Sequence, residues 1–262
     1  MSSTPIAWSD PQRLQAFELW LAEVAPRHGL RSASVRLASA DASFRRYFRI
    51  DNEQGASRIV MDAPPAQENC EPFVRIARLL AEAGLNVPEV LDWDPARGFM
   101  LLSDLGGRTL MEQLDPEQPD AALPWFGHAT DSLLRLQQAS RPGVLPAYDE
   151  ALLRRELQLF PDWYLDKHKG VTLDDQERQT LASAFDQIVK VNLAAPQVFV
   201  HRDFMPRNLM APGSAAPAGA QDRARVLGVL DFQDAVYGPI TYDIASLMRD
   251  AFLSWDEDFV LD

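Results

Sequence analysis

The hydrophobic pattern of this chain shifts near Gly107 from mostly strand-like runs to mostly helical spacing, and that shift limits the folds open to it. Before it lie short runs rich in Val, Ile and aromatics, at 34–37, 46–50, 58–61, 89–93 and 98–102, each reading as a β-strand. One helical stretch, 71–83, interrupts them, with Phe73, Ile76, Leu80 and Ala83 on one face and Gly84 as its stop. Another helix precedes them. Asp10 caps it, Pro11 opens it, Leu14, Phe17, Leu21 and Val24 recur along it, and Gly29 ends it. After Gly107 the apolar residues return mostly at helical spacing. One stripe is Phe126, Ala129, Leu133 and Leu136. A second is Leu153, Leu157, Phe160 and Tyr164, bent or broken at Pro161. A third is Leu181, Phe185, Ile188 and Val191, behind a capping-box pair, Thr172 and Asp175. The simplest architecture is α+β in two lobes that share a cleft. A small β-rich N-lobe takes 1–105 and a larger helical C-lobe takes 106–262.

Two polar segments interrupt the helical half. His201-Arg202-Asp203-Phe204-Met205-Pro206-Arg207-Asn208 follows the apolar run 198–200, and Asp231-Phe232-Gln233-Asp234 follows the run 226–230. Two strand ends thus each deliver an acid, and one also delivers an amide five residues later. Such a set suits phosphoryl transfer. The Asn208 amide oxygen and the Asp231 carboxylate are hard ligands for Mg²⁺, and Asp203 can take the proton of an attacking hydroxyl. The bland alternative is that these Asp and Asn residues cap surface turns. Between the segments, 211–220 is rich in Ala, Gly and Pro and reads as an exposed loop.

Composition removes other classes. The 25 Lys plus Arg against 38 Asp plus Glu leave a net charge of −13, which repels nucleic acid. No run approaches the roughly 20 apolar residues that span a bilayer, and the first ten residues carry no secretory pattern. Cys70 is the single cysteine, so no intrachain disulfide forms. A cytoplasmic protein is expected.

The pattern His-Arg-Asp-x-x-x-x-Asn, the Asp231-Phe232 pair, and then Gly238-Pro239 and Tyr242-Asp243 resemble the aminoglycoside phosphotransferase-like kinases. Within them, the strings HRDFMPRNLM and GVLDFQDAVYGPITYDIASLMRD look most like the bacterial N-acetylmuramate/N-acetylglucosamine anomeric kinases. The likeness runs over nearly the whole chain and is sharpest over 198–250. It implies a two-lobed protein-kinase-like fold and transfer of phosphate from ATP, with Mg²⁺, to the C1 hydroxyl of an amino sugar in peptidoglycan recycling. It also implies Asp203 as base, Asn208 and Asp231 as metal ligands, and Asp243 behind the catalytic loop, with His201 bracing that loop. Choline, homoserine or an aminoglycoside as acceptor, and a pseudokinase without turnover, stay open.

Two departures from the resembled pattern matter. The third strand reads Arg58-Ile59-Val60-Met61-Asp62, where the superfamily usually carries a lysine for the nucleotide phosphates. The arginines one strand earlier, Arg45, Arg46 and Arg49, are the candidate replacements. Strand alternation puts Arg45 and Arg49 on one face and Arg46 on the other. Glu68 or Glu71 can orient whichever arginine acts. Backbone N–H groups around Ser43 and Phe44 add to the phosphate contacts, and the 102–107 connector, with Asp104 and Leu105, offers its backbone to the adenine. The second departure is the end at Asp262, inside or just after a helix that starts near Asp243, where relatives of this kind carry further helices. For the acceptor sugar, Asp162, Trp163 and Tyr164 offer aromatic faces beside an acid, although a helix burying its aromatics explains them as well. Arg207 is a second candidate contact with acceptor or phosphate.

Overall fold

The computed structural model describes residues 6–40, 44–212 and 226–261. The chain forms two compact units. The first comprises Met1–Gln113 and Leu209–Gln233, the second Leu114–Asn208 and Asp234–Asp262.

The first unit is built on a five-stranded antiparallel sheet of β1 (Arg36–Ala40), β2 (Arg46–Asp51), β3 (Ser57–Asp62), β4 (Val90–Asp94) and β5 (Phe99–Ser103), in the order β1-β2-β3-β5-β4. Helix α1 (Pro11–His28) begins where Asp10 accepts the Gln12 N–H, and it ends at Gly29, whose φ of 58° is left-handed. Its face of Phe17, Trp20, Leu21 and Val24 closes over Phe48, Ile50, Val60, Phe99 and Leu101. By the two-residue alternation of strands, Met61 and Met100 point to the opposite face, and they too are buried. Helix α2 (Glu71–Glu82) buries Phe73, Ile76 and Leu80.

The first strand differs from its expected 34–37. Residues Ser32–Ser34 wind into a 3₁₀ turn, and β1 starts at Arg36. The Ser34 hydroxyl explains the shift: it donates to the Arg31 carbonyl and accepts the Asp51 N–H, a local alternative to pairing in the sheet.

Two short strands complete this unit. β7 (Leu209–Met210) pairs with β8 (Gly228–Val229), and the Leu110 N–H and Asn86 carbonyl pin them in place. Gly228 lets the strand pass close to Leu105 and Met210, since a Cβ would come within 2.9 Å of the Leu105 side chain and 3.0 Å of the Met210 Cβ.

The second unit is mostly helical. α3 (Pro119–Gln138) buries Phe126, Ala129, Leu133 and Leu136, the expected stripe. α4 (Glu150–Leu159) runs on into a π-helix, Phe160–His168, and α5 (Asp175–Ala194) follows. β6 (Gln197–Val200) pairs antiparallel with β9 (Val236–Pro239), and α6 (Tyr242–Met248) and α7 (Glu257–Leu261) close the unit. A small core of Tyr148, Leu153, Val189, Val200 and Val236 joins these pieces.

Three helical expectations need correction. The capping box is Asp174 with Glu177, each accepting the other's backbone N–H, rather than Thr172 with Asp175. On α5 the buried residue is Val189, while Ile188 and Val191 are exposed, so the helix presents a neighbouring face to the core. The stripe through Phe160 and Tyr164 is not a core stripe either. Pro161 has no N–H to give the α4 ladder, and the chain widens into the π-helix there. Leu153 stays buried, while Phe160, Trp163 and Tyr164 face solvent. Among the described residues, no helix is long and apolar enough to cross a membrane.

Candidate active site

The segment after β6 is held by backbone hydrogen bonds. His201 is buried, and its N–H donates to one Asp243 carboxylate oxygen at 2.7 Å; the Arg202 N–H donates to the other at 3.0 Å. The Asp203 N–H donates to His201 Nδ1 at 3.3 Å, which makes Nδ1 an acceptor without a proton. The His201 ring stands edge-on to Phe204, which is fully buried. A 3₁₀ turn, Pro206–Asn208, then brings the Asn208 amide nitrogen back to the Asp203 carbonyl at 2.9 Å. That bond decides which end of the amide is which: the nitrogen is spent on the loop, and the lone pairs of Oδ1 are the ones suited to a cation. His201, Asp203, Asn208 and Asp243 are therefore one hydrogen-bonded assembly within the second unit.

In the first unit, Asp231 follows β8 and receives the Gln233 amide on Oδ1 at 2.8 Å. Phe232 is fully buried with its ring 4.9 Å from that of Phe73 on α2, which anchors the residue next to the acid. Asp231 has φ 61° and Arg202 has φ 78°. Among the described residues they alone, apart from glycines, take a positive φ. A left-handed backbone costs a non-glycine residue about 1 kcal/mol or more, so the surroundings must enforce it. Both strained positions fall in the two segments that the sequence marks for chemistry.

Arg45, Arg46 and Arg49 each have a carboxylate partner. Arg45 is buried and its Nε donates to Glu68 at 3.0 Å, and Glu68 also accepts the Phe44 N–H. Arg46 pairs with Asp62 and lies 3.9 Å over the Trp8 ring. Arg49 donates to Asp104 and to the Gly106 carbonyl. Burial alone would raise the Asp104 carboxyl, but hydrogen bonds from Arg49 and Ser57 and the Gly106 N–H hold it below the usual carboxylate range. The structure thus ties Arg49 to Asp104 and Arg45 to Phe44 through Glu68, while Arg46 belongs to a separate cluster. Leu105 packs against Gly228, and Ser43 lies outside the described residues.

Of the acceptor candidates, Asp162, Trp163 and Tyr164 sit on the π-helix. Trp163 is 65% exposed, and Tyr164 stacks on Phe160 at 5.5 Å. Asp162 accepts from the Gln158 amide. Arg207 lies 4.8 Å over the Phe252 ring. Among the contacts described, none joins Arg207 to Asp162, Trp163 or Tyr164.

Burial pushes the Asp243 carboxyl up to about 7, against the two amide hydrogen bonds that favour its charge and with help from the Asp203 charge. The unfolded chain releases this proton near pH 4, whereas the native protein keeps it to about 7, so stability falls as pH rises through that window. Asp243→Asn has no such proton and should lack this slope. Chemical denaturation at about pH 5 and about pH 7 is expected to show wild type losing stability relative to the variant. Parallel curves would remove the assignment.

A family described as the phosphotransferase enzyme family matches residues 34–262. The N-acetylmuramate/N-acetylglucosamine kinase of Pseudomonas aeruginosa is 48% identical over 258 residues, covering 95% of this chain and 71% of that protein. The protein of the same name from Pseudomonas putida is 47% identical over 226 residues, covering 86% of this chain and 62% of its own length. The chain therefore spans about two thirds of these relatives. Among solved structures, the ADP-bound aminoglycoside phosphotransferase APH(2'')-Ib superposes with a TM-score of 0.60 at 14% identity, covering 94% of this chain and 79% of that one. That likeness is one of fold.

Proposed function

This chain belongs to the phosphotransferase enzyme family, and we propose that it is an ATP-dependent kinase for the anomeric hydroxyl of N-acetylmuramate and N-acetylglucosamine. The observation that carries this reading is the His201–Asn208 loop, clamped on the Asp243 carboxylate, in a chain 48% identical to a kinase of those sugars. In this reading residues 1–105 bind nucleotide, and residues 106–262 carry the catalytic loop and the acceptor.

Asp203 accepts the proton of the C1 hydroxyl as the sugar oxygen bonds to the γ-phosphorus of ATP. The bond from that phosphorus to the β–γ bridging oxygen breaks, and ADP leaves with the electron pair. Asn208 Oδ1 and the Asp231 carboxylate are the ligands we assign to Mg²⁺, whose chemistry when bound is to offset charge on the phosphate oxygens. For the charge that the third-strand lysine would supply, Arg45 is the preferred arginine, because Glu68 fixes both its guanidinium and the Phe44 N–H. Arg46 is held by Asp62 instead, and Arg49 by Asp104 beside Leu105 in the segment we assign to the adenine. Exposed Trp163 and Tyr164, with Asp162, suit the apolar face and hydroxyls of a sugar, and Arg207 follows the catalytic loop.

Radiolabelled ATP tests the reading over a panel of N-acetylmuramate, N-acetylglucosamine, choline, homoserine and aminoglycosides. The expected products are the two amino-sugar 1-phosphates. Turnover of aminoglycosides alone would remove the sugar assignment, and phosphate on a hydroxyl other than C1 would remove the anomeric one. Binding of ATP without any transfer would favour a pseudokinase.

A further inference from the structure

Arg202 stands between the clamped His201 and the proposed base, and its side chain is as constrained as its backbone. Its Nη2 donates to Glu156 Oε1 at 2.5 Å, while Nη1 reaches the Asp234 carbonyl at a long 3.4 Å. Nε is buried and has no partner among the described residues. Glu156 is therefore the principal counter-charge of this guanidinium. The other oxygen of Glu156 is occupied as well, accepting from the Tyr148 hydroxyl and from the Tyr242 hydroxyl at 3.2 Å. Burial raises both phenols, and the Glu156 carboxylate raises them further, so each stays a neutral donor.

These four residues come from four places: α4, the segment before it, the catalytic loop and the start of α6. The Tyr148 N–H donates to the Tyr237 carbonyl, whose own N–H donates to the Pro146 carbonyl, and a Cβ on Gly238 would approach the Tyr148 side chain to 2.7 Å. Tyr242 is the neighbour of Asp243, whose carboxylate holds the His201 and Arg202 amides. Glu156 thus fastens the side chain of the residue whose backbone Asp243 fastens. A left-handed arginine held by its amide alone has a ready escape, since flipping φ relieves the strain and swings the next residue. With the guanidinium tied to α4, that flip also breaks a charge-assisted hydrogen bond.

We propose that Glu156 is a positioning residue for the phosphoryl transfer. By holding Arg202 in its left-handed conformation it aims the carboxylate of Asp203. The proposal rests on the reading of Asp203 as base, and neither Glu156 nor Tyr148 belongs to the motif that marks the loop.

The test uses Glu156→Ala, Glu156→Gln and Arg202→Met in the full chain, with steady-state kinetics and hydrogen exchange of peptides covering 199–208. Glu156→Ala is expected to lower kcat by about 10²-fold, the order expected of a misaimed group, with KM for ATP and sugar little changed. Exchange should quicken over 201–203 and not in α3 or α5. Glu156→Gln, which can still accept from Arg202, should recover most of the rate, and Arg202→Met should match the alanine variant. A merely structural role predicts a lowered melting temperature with wild-type kcat below it, and that result overturns the proposal. So does a loss of kcat without any change in loop exchange. If wild type fails to phosphorylate either sugar, the proposed function falls on its own, and the exchange measurement still decides whether Glu156 holds the loop. Should Glu156→Ala not fold, Glu156→Gln and Arg202→Met decide between the same outcomes.

Discussion

Asp203→Asn is expected to lower kcat by about 10²-fold or more, the range typical of losing a general base, while ATP affinity stays near wild type. The substitution keeps the size and shape of the side chain and removes its ability to take a proton. It also leaves the loop supported, because the bonds from Asn208 and to His201 are made by the carbonyl and N–H of residue 203. The Asp243 clamp is made to the N–H groups one and two residues earlier, which the substitution keeps. A large loss in kcat is therefore a loss of chemistry, not of folding. Steady-state kinetics with either amino sugar, paired with nucleotide binding by calorimetry, separates the two quantities. Turnover unchanged from wild type would reject Asp203 as the base, and lost ATP binding would move the residue to the nucleotide.

Much of this fold is legible in the residues alone, for reasons that differ by element. α1 announces itself twice, through Asp10-Pro11 at one end and Gly29 at the other, and both ends form as expected. α2 and α3 are legible because their stripes match one buried face. The α+β class follows from the shift near Gly107 from mostly strand-like to mostly helical spacing. Elements that fail are those whose pattern has two solutions. At the start of α5, Thr172 and Asp174 both offer caps, and the second wins because Glu177 can answer it. Beyond Pro161 an apolar repeat alone cannot tell an α-turn from the wider π-turn that exposes Tyr164. β7 and β8 have two residues each, too few for any alternation to show. At the site, the spacing of the motif singles out Asp203, Asn208 and Asp231, and the family resemblance points to Asp243. Neither says anything of Glu156, whose bond to Arg202 closes over 46 residues of sequence. Nor does a run of arginines declare its partners. Glu68 is a candidate partner on sequence grounds and pairs with Arg45, whereas the Asp62 pairing of Arg46 emerges only from the fold.

That pairing supports the largest effect expected on stability. Asp62→Ala should destabilise the protein by about 3 kcal/mol, the lower end of what removing one partner of a buried ion pair costs. Asp62 is fully buried at the end of β3, with Arg13 on one carboxylate oxygen and Arg46 on the other. Without it two guanidiniums face each other across an uncompensated gap. Arg13, with its side chain 14% exposed and its other bonds to the Arg97 and Gly98 carbonyls, cannot readily leave. Arg46, at 27%, can swing partly towards water, which is why the lower figure applies. Urea denaturation measures the loss as a lower midpoint with an unchanged slope. The same variant separates the arginines functionally. If Arg45 serves the phosphates and Arg46 serves Asp62, then folded Asp62→Ala keeps its KM for ATP, whereas folded Arg45→Ala raises it. A raised KM in Asp62→Ala would instead put Arg46 on the nucleotide.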